Sequence, residues 1–164
     1  MSKTGPEWLE HALELCYRYL NHRERTVAEV RRHLERKGVP GDTIEAAIST
    51  LDELGYLGDE RFVRLFVTDK RELEGWGNER IRRGLVTRGI ERELISHVLA
   101  DSTAEDGAGQ TELDRARAVL QRRFPIPPRD RRERERALGV LLRKGYESEL
   151  ALDALSSYAR QYDL

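Results

Sequence analysis

Apolar residues recur along this chain at spacings of three and four, which is the period of an amphipathic helix with one buried face. The pattern returns in nine segments that are separated by glycine, proline or polar turn residues. The first segment places Leu9, Ala12, Leu13 and Cys16 on one face. No segment shows the strict alternation of apolar and polar residues that is typical of a half-buried strand. The pattern therefore predicts an all-α fold without a sheet.

Polar residues at fixed offsets indicate where several of these helices begin and end. Thr26 and Thr111 each precede an acidic residue by three positions, as in a capping box. Asp59 and Asn78 are suitable N-caps for two further helices. The segment 101–110 is small, polar and glycine-containing, which is typical of a linker. We therefore expect helices to begin at these four residues and irregular structure in the linker.

Three glycines divide the helical pattern into equivalent sections. Gly38, Gly89 and Gly145 each follow a leucine by four positions and a basic residue by one, and a bulky residue comes next. Glycine in this place ends a helix with a left-handed turn. The sequence therefore predicts three tandem three-helix repeats, which form an elongated, curved helical array because each repeat packs mainly on its neighbours. The predicted boundaries are 7–57, 58–101 and 111–162 for the repeats and 102–110 for a linker.

Composition narrows the class of protein. The chain has 164 residues, of which 36% are charged, and its 29 basic and 30 acidic residues nearly cancel. This balance argues against a protein that holds nucleic acid by bulk positive charge alone. A single cysteine, Cys16, excludes an internal disulfide and favours the reducing cytoplasm, and its place on an apolar stripe favours a packed thiol. We expect no membrane span, because no apolar run approaches the required length. We expect no secretory signal, because Met1 to Glu10 show no basic segment followed by an apolar stretch.

Motifs for catalysis and for metal or cofactor binding are not found in the sequence. It contains no HExxH, CxxC or glycine-rich phosphate loop. The four histidines, His11, His22, His33 and His97, fit a solvated or half-buried position better than a metal site. The carboxylates alternate with arginines, as on solvated helix faces. We therefore expect a protein that is not an enzyme and that needs no metal and no cofactor.

Basic residues concentrate in three clusters. The net charge is +3 over residues 30–38, +3 over 78–90 and +6 over 115–136. The first two clusters lie in equivalent helices, so a stack of repeats would present them along one surface, suited to an anionic polymer or an acidic protein groove. Solubility alone is the competing explanation. The candidate partner-binding residues are Arg31, Arg32, Lys37, Arg80, Arg82, Arg83, Arg88, Arg131, Arg132, Arg143 and Lys144.

Trp76 lies in a turn between two glycines. An exposed tryptophan would be an interface anchor, whereas a buried one would hold two repeats together. We expect burial, because two stacked units offer neighbours to the ring. Phe62 and Phe66, one helical turn apart, are expected in the core.

The central third of the chain resembles the bacterial RecX family of recombination regulators. The similar residues are Gly55-Tyr-Leu-Gly-Asp-Glu-Arg-Phe62, Gly75-Trp-Gly77, Arg80-Ile-Arg-Arg83 with Leu85, and Arg88-Gly-Ile90. That family has a Gly-Tyr-Leu-x-Asp-x-x-Phe segment, a Gly-aromatic-Gly turn and an Arg-Ile helix that ends in Gly-Ile. The resemblance extends from about Ala12 to Ala159 and includes the order of three repeats.

The resemblance implies a regulatory protein without a catalytic site. Members of the family bind the RecA recombinase and modulate its nucleoprotein filament, usually by inhibiting ATP hydrolysis and strand exchange in recombination and DNA repair. Some members also contact single- or double-stranded DNA. We expect a monomer with the RecA filament as its partner. Two alternatives remain open from the residues alone: a helical protein that binds DNA or RNA directly through arginine-rich helices, and a helical-repeat scaffold for another protein.

Overall fold

The computed structural model describes residues 2–105 and 110–162, and over these residues the backbone forms nine α-helices and no strand. The all-α prediction is therefore confirmed. The longest of these helices have 16 residues, fewer than the ~20 that cross a bilayer, and none qualifies as a membrane span. The helices are α1 Gly5–Leu20, α2 Val27–Arg36, α3 Gly41–Glu53, α4 Asp59–Glu74, α5 Asn78–Thr87, α6 Arg92–Glu105, α7 Glu112–Arg123, α8 Arg131–Lys144 and α9 Ser148–Arg160.

The chain forms two compact units. Unit 1 comprises Met1–Val63 and Leu85–Leu94, and unit 2 comprises Arg64–Gly84 and Ile95–Leu164. The second predicted repeat contributes residues to both units, because the division passes through α4, α5 and α6.

The core of unit 1 lies among α1, α2 and α3. Its fully buried apolar side chains come from the three- and four-residue periods of these helices. Cys16 is among them, and burial raises the pKa of its thiol to about 11. The predicted packed thiol is confirmed. The buried residues are Ala12, Cys16, Val30, Leu34, Val39, Ile44, Ala47, Ile48, Leu51 and Leu57.

The main core of unit 2 lies among α7, α8 and α9. Tyr158 is fully buried, and its hydroxyl donates to the carbonyl oxygen of Phe124, which is the C-cap residue of α7. This bond supplies a partner for the polar atom of a large buried ring. The buried residues are Ala116, Val119, Leu120, Ala137, Leu141, Tyr146, Ala151, Ala154, Leu155 and Tyr158.

Both predicted capping boxes are confirmed. The Thr26 hydroxyl accepts the amide of Glu29 over 3.1 Å, and the Glu29 carboxylate accepts the amide of Thr26 over 2.9 Å. Thr111 and Asp114 make the same pair of bonds at the start of α7. Each box provides acceptors for amides that have no partner within the helix.

The capping role predicted for Asp59 and Asn78 is wrong. Both are the first residues of their helices, one position inside the cap. The Asp59 carboxylate instead accepts the amide of Val27 over 2.9 Å and so caps α2. Asn78 donates its backbone and side-chain N–H groups to the Glu112 carboxylate over 2.9 and 3.0 Å. Tertiary contacts therefore decide the partners of these side chains.

The three repeat glycines adopt the geometry that the sequence predicts. Gly38, Gly89 and Gly145 have φ angles of +75°, +82° and +95°, a region that residues with a Cβ rarely adopt. The residue after each glycine donates its amide to the carbonyl of the leucine four positions before the glycine, over 3.1 Å in all three cases. This bond belongs to the Schellman motif. The same helix ending therefore occurs three times.

The predicted linker begins as helix. Helix α6 continues to Glu105, so the expectation of irregular structure from residue 101 is wrong up to that residue. The sequence at 100–105, Ala-Asp-Ser-Thr-Ala-Glu, contains no glycine, asparagine or proline, the residues that usually end a helix. Residues 106–109 of the predicted linker lie outside the described residues.

Candidate functional site

Arg31, on α2 in unit 1, forms an ion pair with a carboxylate of the neighbouring helix. The Arg31 guanidinium donates to both carboxylate oxygens of Glu45 on α3, over 2.8 and 3.3 Å. These hydrogen bonds raise the pKa of Arg31 and lower the pKa of Glu45. Arg32 and Lys37 are exposed and make no ion pair among the described residues. Arg31 therefore joins two helices, whereas Arg32 and Lys37 point their charge to solvent.

Arg82 on α5 occupies the position equivalent to Arg31. Its guanidinium donates to the Ser96 hydroxyl on α6 over 3.0 Å and lies 4.0 Å from the carboxylate of Glu79. Ser96 therefore occupies the position that Glu45 has in the first repeat. Because a serine is neutral, its hydrogen bond to Arg82 joins the two helices without neutralising the charge of Arg82. Arg83 is exposed beside it, with its Nε 3.4 Å from the carbonyl oxygen of Glu79.

Arg88, in unit 1, lies at a junction between two helix ends. Its carbonyl oxygen accepts the Thr26 hydroxyl over 2.8 Å, and Thr26 is fully buried. A Cβ added to Gly89 would lie 2.5 Å from the Cβ of Ala28. The end of α5 therefore rests on the start of α2, with carbonyl groups facing the positive end of a helix dipole.

Unit 2 contains a second junction of this kind. The amides of Gly77 and Glu79 donate to the carbonyl oxygens of Lys144 and Gly145, over 2.8 and 3.0 Å. The backbone of Arg80 lies so close to Gly145 that an added Cβ would stand 2.5 Å from its nitrogen. The end of α8 therefore rests on the start of α5.

A basic groove borders this second junction. It has a volume of about 790 Å³. Five cationic side chains and one carboxylate line it, together with Trp76 and an apolar floor. The cationic side chains are Arg80, Arg122, Arg123, Arg143 and Lys144, and the carboxylate is Glu74. The floor consists of Val119 and Val140, and the exposed Leu73 also lines the groove. We call this the basic groove.

Two of the cations in the basic groove are held by backbone oxygens. Arg80 donates to the carbonyl of Arg143 over 3.1 Å, and Lys144 donates to the carbonyl of Glu74 over 2.6 Å. A carbonyl fixes the position of a cation without cancelling its charge. The Glu74 carboxylate is paired with Lys70, and that hydrogen bond is the main reason why the pKa of Glu74 is lowered. The groove therefore keeps a strong positive potential.

The prediction that Trp76 is buried is wrong. The indole is half-buried, with the Arg80 guanidinium 4.2 Å and the Lys70 ammonium 4.5 Å from the ring centroid. Phe66 meets it edge-on and is itself half-buried, whereas Phe62 is buried as predicted. The turn that carries Trp76 is fixed by the Tyr146 hydroxyl, which donates to the carbonyl of Gly75 over 3.0 Å. The ring therefore positions cations at the groove.

The structure brings together only part of the predicted site. Arg80, Arg143 and Lys144 meet in the basic groove. Arg131 and Arg132 lie at the opposite end of α8, where Arg131 pairs with Glu135 over 2.9 Å. Arg122 and Arg123 are not among the predicted site residues, although both belong to the most basic cluster. No local pattern marks them, because one side of the groove comes from residues 73–80, which lie more than forty positions earlier in the sequence.

What the groove offers is electrostatic and apolar contact. Over the residues that the structure describes, no group of histidine, cysteine, aspartate and glutamate side chains could hold a metal ion. Fixed cations beside an apolar floor are suited to bind an anionic partner surface.

Three family models match the chain in sequence order. They describe the first, second and third three-helix domains of RecX, and they match residues 12–51, 59–99 and 110–155. Helices α1 to α3 correspond to the first domain, α4 to α6 to the second and α7 to α9 to the third. The prediction of three three-helix repeats is confirmed.

Similar proteins carry the same name. The regulatory protein RecX of Mycobacterium avium is 32% identical over 157 residues, which cover 94% of this chain and 88% of that protein. The regulatory protein RecX of Trichlorobacter lovleyi is 34% identical over 142 residues, which cover 82% of this chain and 90% of that protein.

Solved structures share the fold. The crystal structure of RecX from Lactobacillus salivarius superposes with a TM-score of 0.76 at 18% identity, over 93% of this chain and 97% of that chain. A second crystal structure of a regulatory protein RecX gives a TM-score of 0.66 at 21% identity, over 89% and 70% of the two chains.

Proposed function

The chain belongs to the RecX family, and from that premise we propose that it binds the RecA recombinase and its nucleoprotein filament and lowers the rates of ATP hydrolysis and strand exchange. The relatives are named regulatory proteins, which favours a non-enzymatic role. The observation that carries the proposal is the basic groove, where five cations stand against one carboxylate beside an apolar floor.

The mechanism that we propose is the bridging of filament protomers. Basic surfaces on repeated three-helix domains would contact acidic or DNA-lined parts of the filament at several points. Several weak contacts on one chain add up, because each contact raises the effective concentration of the next. A chain held at more than one protomer would resist the filament motions that accompany ATP turnover. We place this activity in the cytoplasm, consistent with the buried, unpaired thiol of Cys16.

Direct contact with DNA is the second candidate function. The positive potential of the basic groove supports it, whereas the net charge of −1 gives little general attraction to DNA. A DNA-binding titration over increasing salt without RecA separates the two candidates. Tight, steeply salt-dependent binding would favour DNA as the primary partner.

An ATPase assay on RecA filaments assembled on single-stranded DNA tests the main proposal. The wild-type chain is expected to lower the rate of ATP hydrolysis. For the variant Arg122→Gln/Arg123→Gln, the protein concentration that gives half of this effect should be about fivefold higher, because each exposed charge contributes a fraction of the binding energy. Arg18→Gln/Arg92→Gln is the control, because it removes two exposed charges that lie outside the candidate residues. An unchanged rate at saturating wild-type protein would contradict the proposal.

A further inference from the structure

In the first two repeats a polar side-chain pair joins the second and third helices at the same position. The pair stands seven residues before and seven after the repeat glycine. It is Arg31 with Glu45 in the first repeat and Arg82 with Ser96 in the second. Each pair connects neighbouring helices over a distance of 2.8 to 3.0 Å. The two polar pairs therefore form equivalent bridges.

Leucines replace both members of this bridge in the third repeat. Leu138 and Leu152 stand seven residues before and seven after Gly145. Leu152 is 50% exposed, and both leucines line a cavity of about 850 Å³ between α8 and α9. The helix pair is therefore open and apolar where the other two repeats are joined by polar groups.

The opening continues along the unit as a groove. A second cavity of about 540 Å³ shares Pro128 and Ala159 with the first. Ile126 and Tyr162 line its far end and are 67% and 59% exposed. We call the two cavities together the α8–α9 groove. Its lining residues do not include any residue of the basic groove.

The rim of the α8–α9 groove is positively charged. Arginines and carboxylates border it, namely Arg129, Arg131, Arg134, Arg160, Asp130 and Glu135. Asp130 is occupied as the N-cap of α8, where it accepts the amide of Glu133 over 2.8 Å. Glu135 is paired with Arg131. Four arginines against two carboxylates give the rim an excess of positive charge beside an apolar floor.

We propose that the α8–α9 groove binds an amphipathic helix of a protein partner, with leucine-type side chains on its inner face and carboxylates beside them. A groove between two helices accepts a third helix through apolar anchors at helical spacing. The arginine rim selects acidic flanks. Nucleic acid fits less well, because the floor consists of leucine, proline and alanine side chains and Tyr162 at one end is its only aromatic residue among those described. This site does not depend on the proposed action on RecA.

A fluorescein-labelled model peptide of about 14 residues, roughly two heptads of Glu-Glu-Leu-Leu-Glu-Glu-Leu, provides the probe for anisotropy measurements on the full chain. The wild type is expected to bind it, and a peptide with alanine in place of leucine is expected not to bind. Leu152→Gln should weaken binding by about tenfold, as expected for loss of a central anchor. Leu142→Gln on the same unit is the control, since Leu142 is 39% exposed and does not line the groove.

Leu138→Arg/Leu152→Glu rebuilds the bridge of the first repeat in the third and should close the groove, which abolishes peptide binding. Circular dichroism checks that this variant folds, and Leu152→Gln decides the question if it does not. Absence of wild-type binding, or equal binding by Leu152→Gln, would overturn the proposal. Preferential binding of an oligothymidylate that Leu152→Gln also weakens would overturn it in favour of nucleic acid.

Discussion

The hydroxyl of Thr26 donates to the carbonyl oxygen of Arg88 over 2.8 Å while it accepts the amide of Glu29. One fully buried side chain therefore caps α2 and holds the end of α5 against it. Because one hydroxyl is both the acceptor for the Glu29 amide and the donor to the Arg88 carbonyl, its removal leaves both of these groups without this partner. Thr111 makes an equivalent capping box at α7, but it is exposed, and its hydroxyl donates to the Asp114 carboxylate of the same box over 2.8 Å instead of to another helix.

Thr26→Val should lower the free energy of unfolding by about 2 kcal/mol, because a cap is lost and a buried carbonyl loses its donor. Thr111→Val should cost only about 1 kcal/mol, the value of a cap alone. Denaturant unfolding followed by circular dichroism measures both. An equal loss in the two variants would show that the bond to Arg88 adds nothing.

The repeat glycines give a second matched comparison. A Cβ on Gly145 would lie 2.2 Å from the Cβ of Arg80, whereas a Cβ on Gly38 would meet nothing within 4 Å. Both have a positive φ. Gly38→Ala should therefore cost about 1 kcal/mol of unfolding free energy from backbone strain alone. Gly145→Ala should cost about 3 kcal/mol, because steric overlap adds to that strain.

Urea unfolding of the two alanine variants tests this difference. The wild-type chain supplies the reference midpoint and slope. A Gly145→Ala variant as stable as Gly38→Ala would contradict the close approach of α8 to the start of α5.

How much of this structure follows from the sequence depends on the range of the interaction. Leu34, Leu85 and Leu141 are fully buried, and each accepts the amide that the repeat pattern predicts. Helix periods, capping boxes and glycine turns are set by residues within five positions of one another, so one sequence suffices to find them. The alignment of the repeats follows from the same local signals.

The features that the sequence does not predict depend on contacts between residues far apart in the chain. Asp59 has the chemistry of an N-cap, but its carboxylate goes to Val27, which lies 32 residues earlier. Arg122 and Arg123 enter the basic groove because the turn at Gly75 is held by Tyr146, which lies 71 residues later. Trp76 is half-buried, and two cations from other parts of the chain contact its ring beside the edge of Phe66. Local patterns carry no information about such pairings.

The pH dependence of stability should report the placement of Asp59. Burial raises the pKa of this carboxyl, and the hydrogen bond from the Val27 amide opposes the increase only in part. The folded protein therefore holds the Asp59 proton more tightly than the unfolded chain does. Between the ordinary pKa of aspartate and the raised pKa of Asp59, the unfolding free energy of the wild type should fall relative to that of Asp59→Asn as the pH increases. Above the raised pKa, the difference in unfolding free energy between the two proteins should stay constant.

Asp59→Asn keeps an oxygen that accepts the Val27 amide, whereas Asp59→Ala removes it and should cost about 1 kcal/mol of unfolding free energy near neutral pH. Unfolding curves of the three chains over a series of pH values measure both effects. A difference between wild type and Asp59→Asn that does not change with pH would contradict the buried position of the carboxylate.

Arg82 and Arg83 test whether α5 takes part in the proposed action on the RecA filament. Arg82 donates to a serine where its counterpart Arg31 has a carboxylate, and the Glu79 carboxylate lies 4.0 Å away instead of within hydrogen-bond distance, so the charge of Arg82 is less neutralised than that of Arg31. Arg82→Glu/Arg83→Glu should raise the concentration for half-maximal inhibition of filament ATPase by about fivefold or more, because like charges replace opposite ones at the interface. The fold should survive, since both side chains lie at the surface of the helix and the contact to Ser96 is exposed.

The control variant is Arg18→Glu/Arg92→Glu. It changes the net charge by the same amount at exposed positions outside the candidate set, and so controls for general electrostatics. If the α5 variant inhibits as strongly as the wild type, these two arginines do not belong to the binding surface, and the basic groove alone remains to explain the activity.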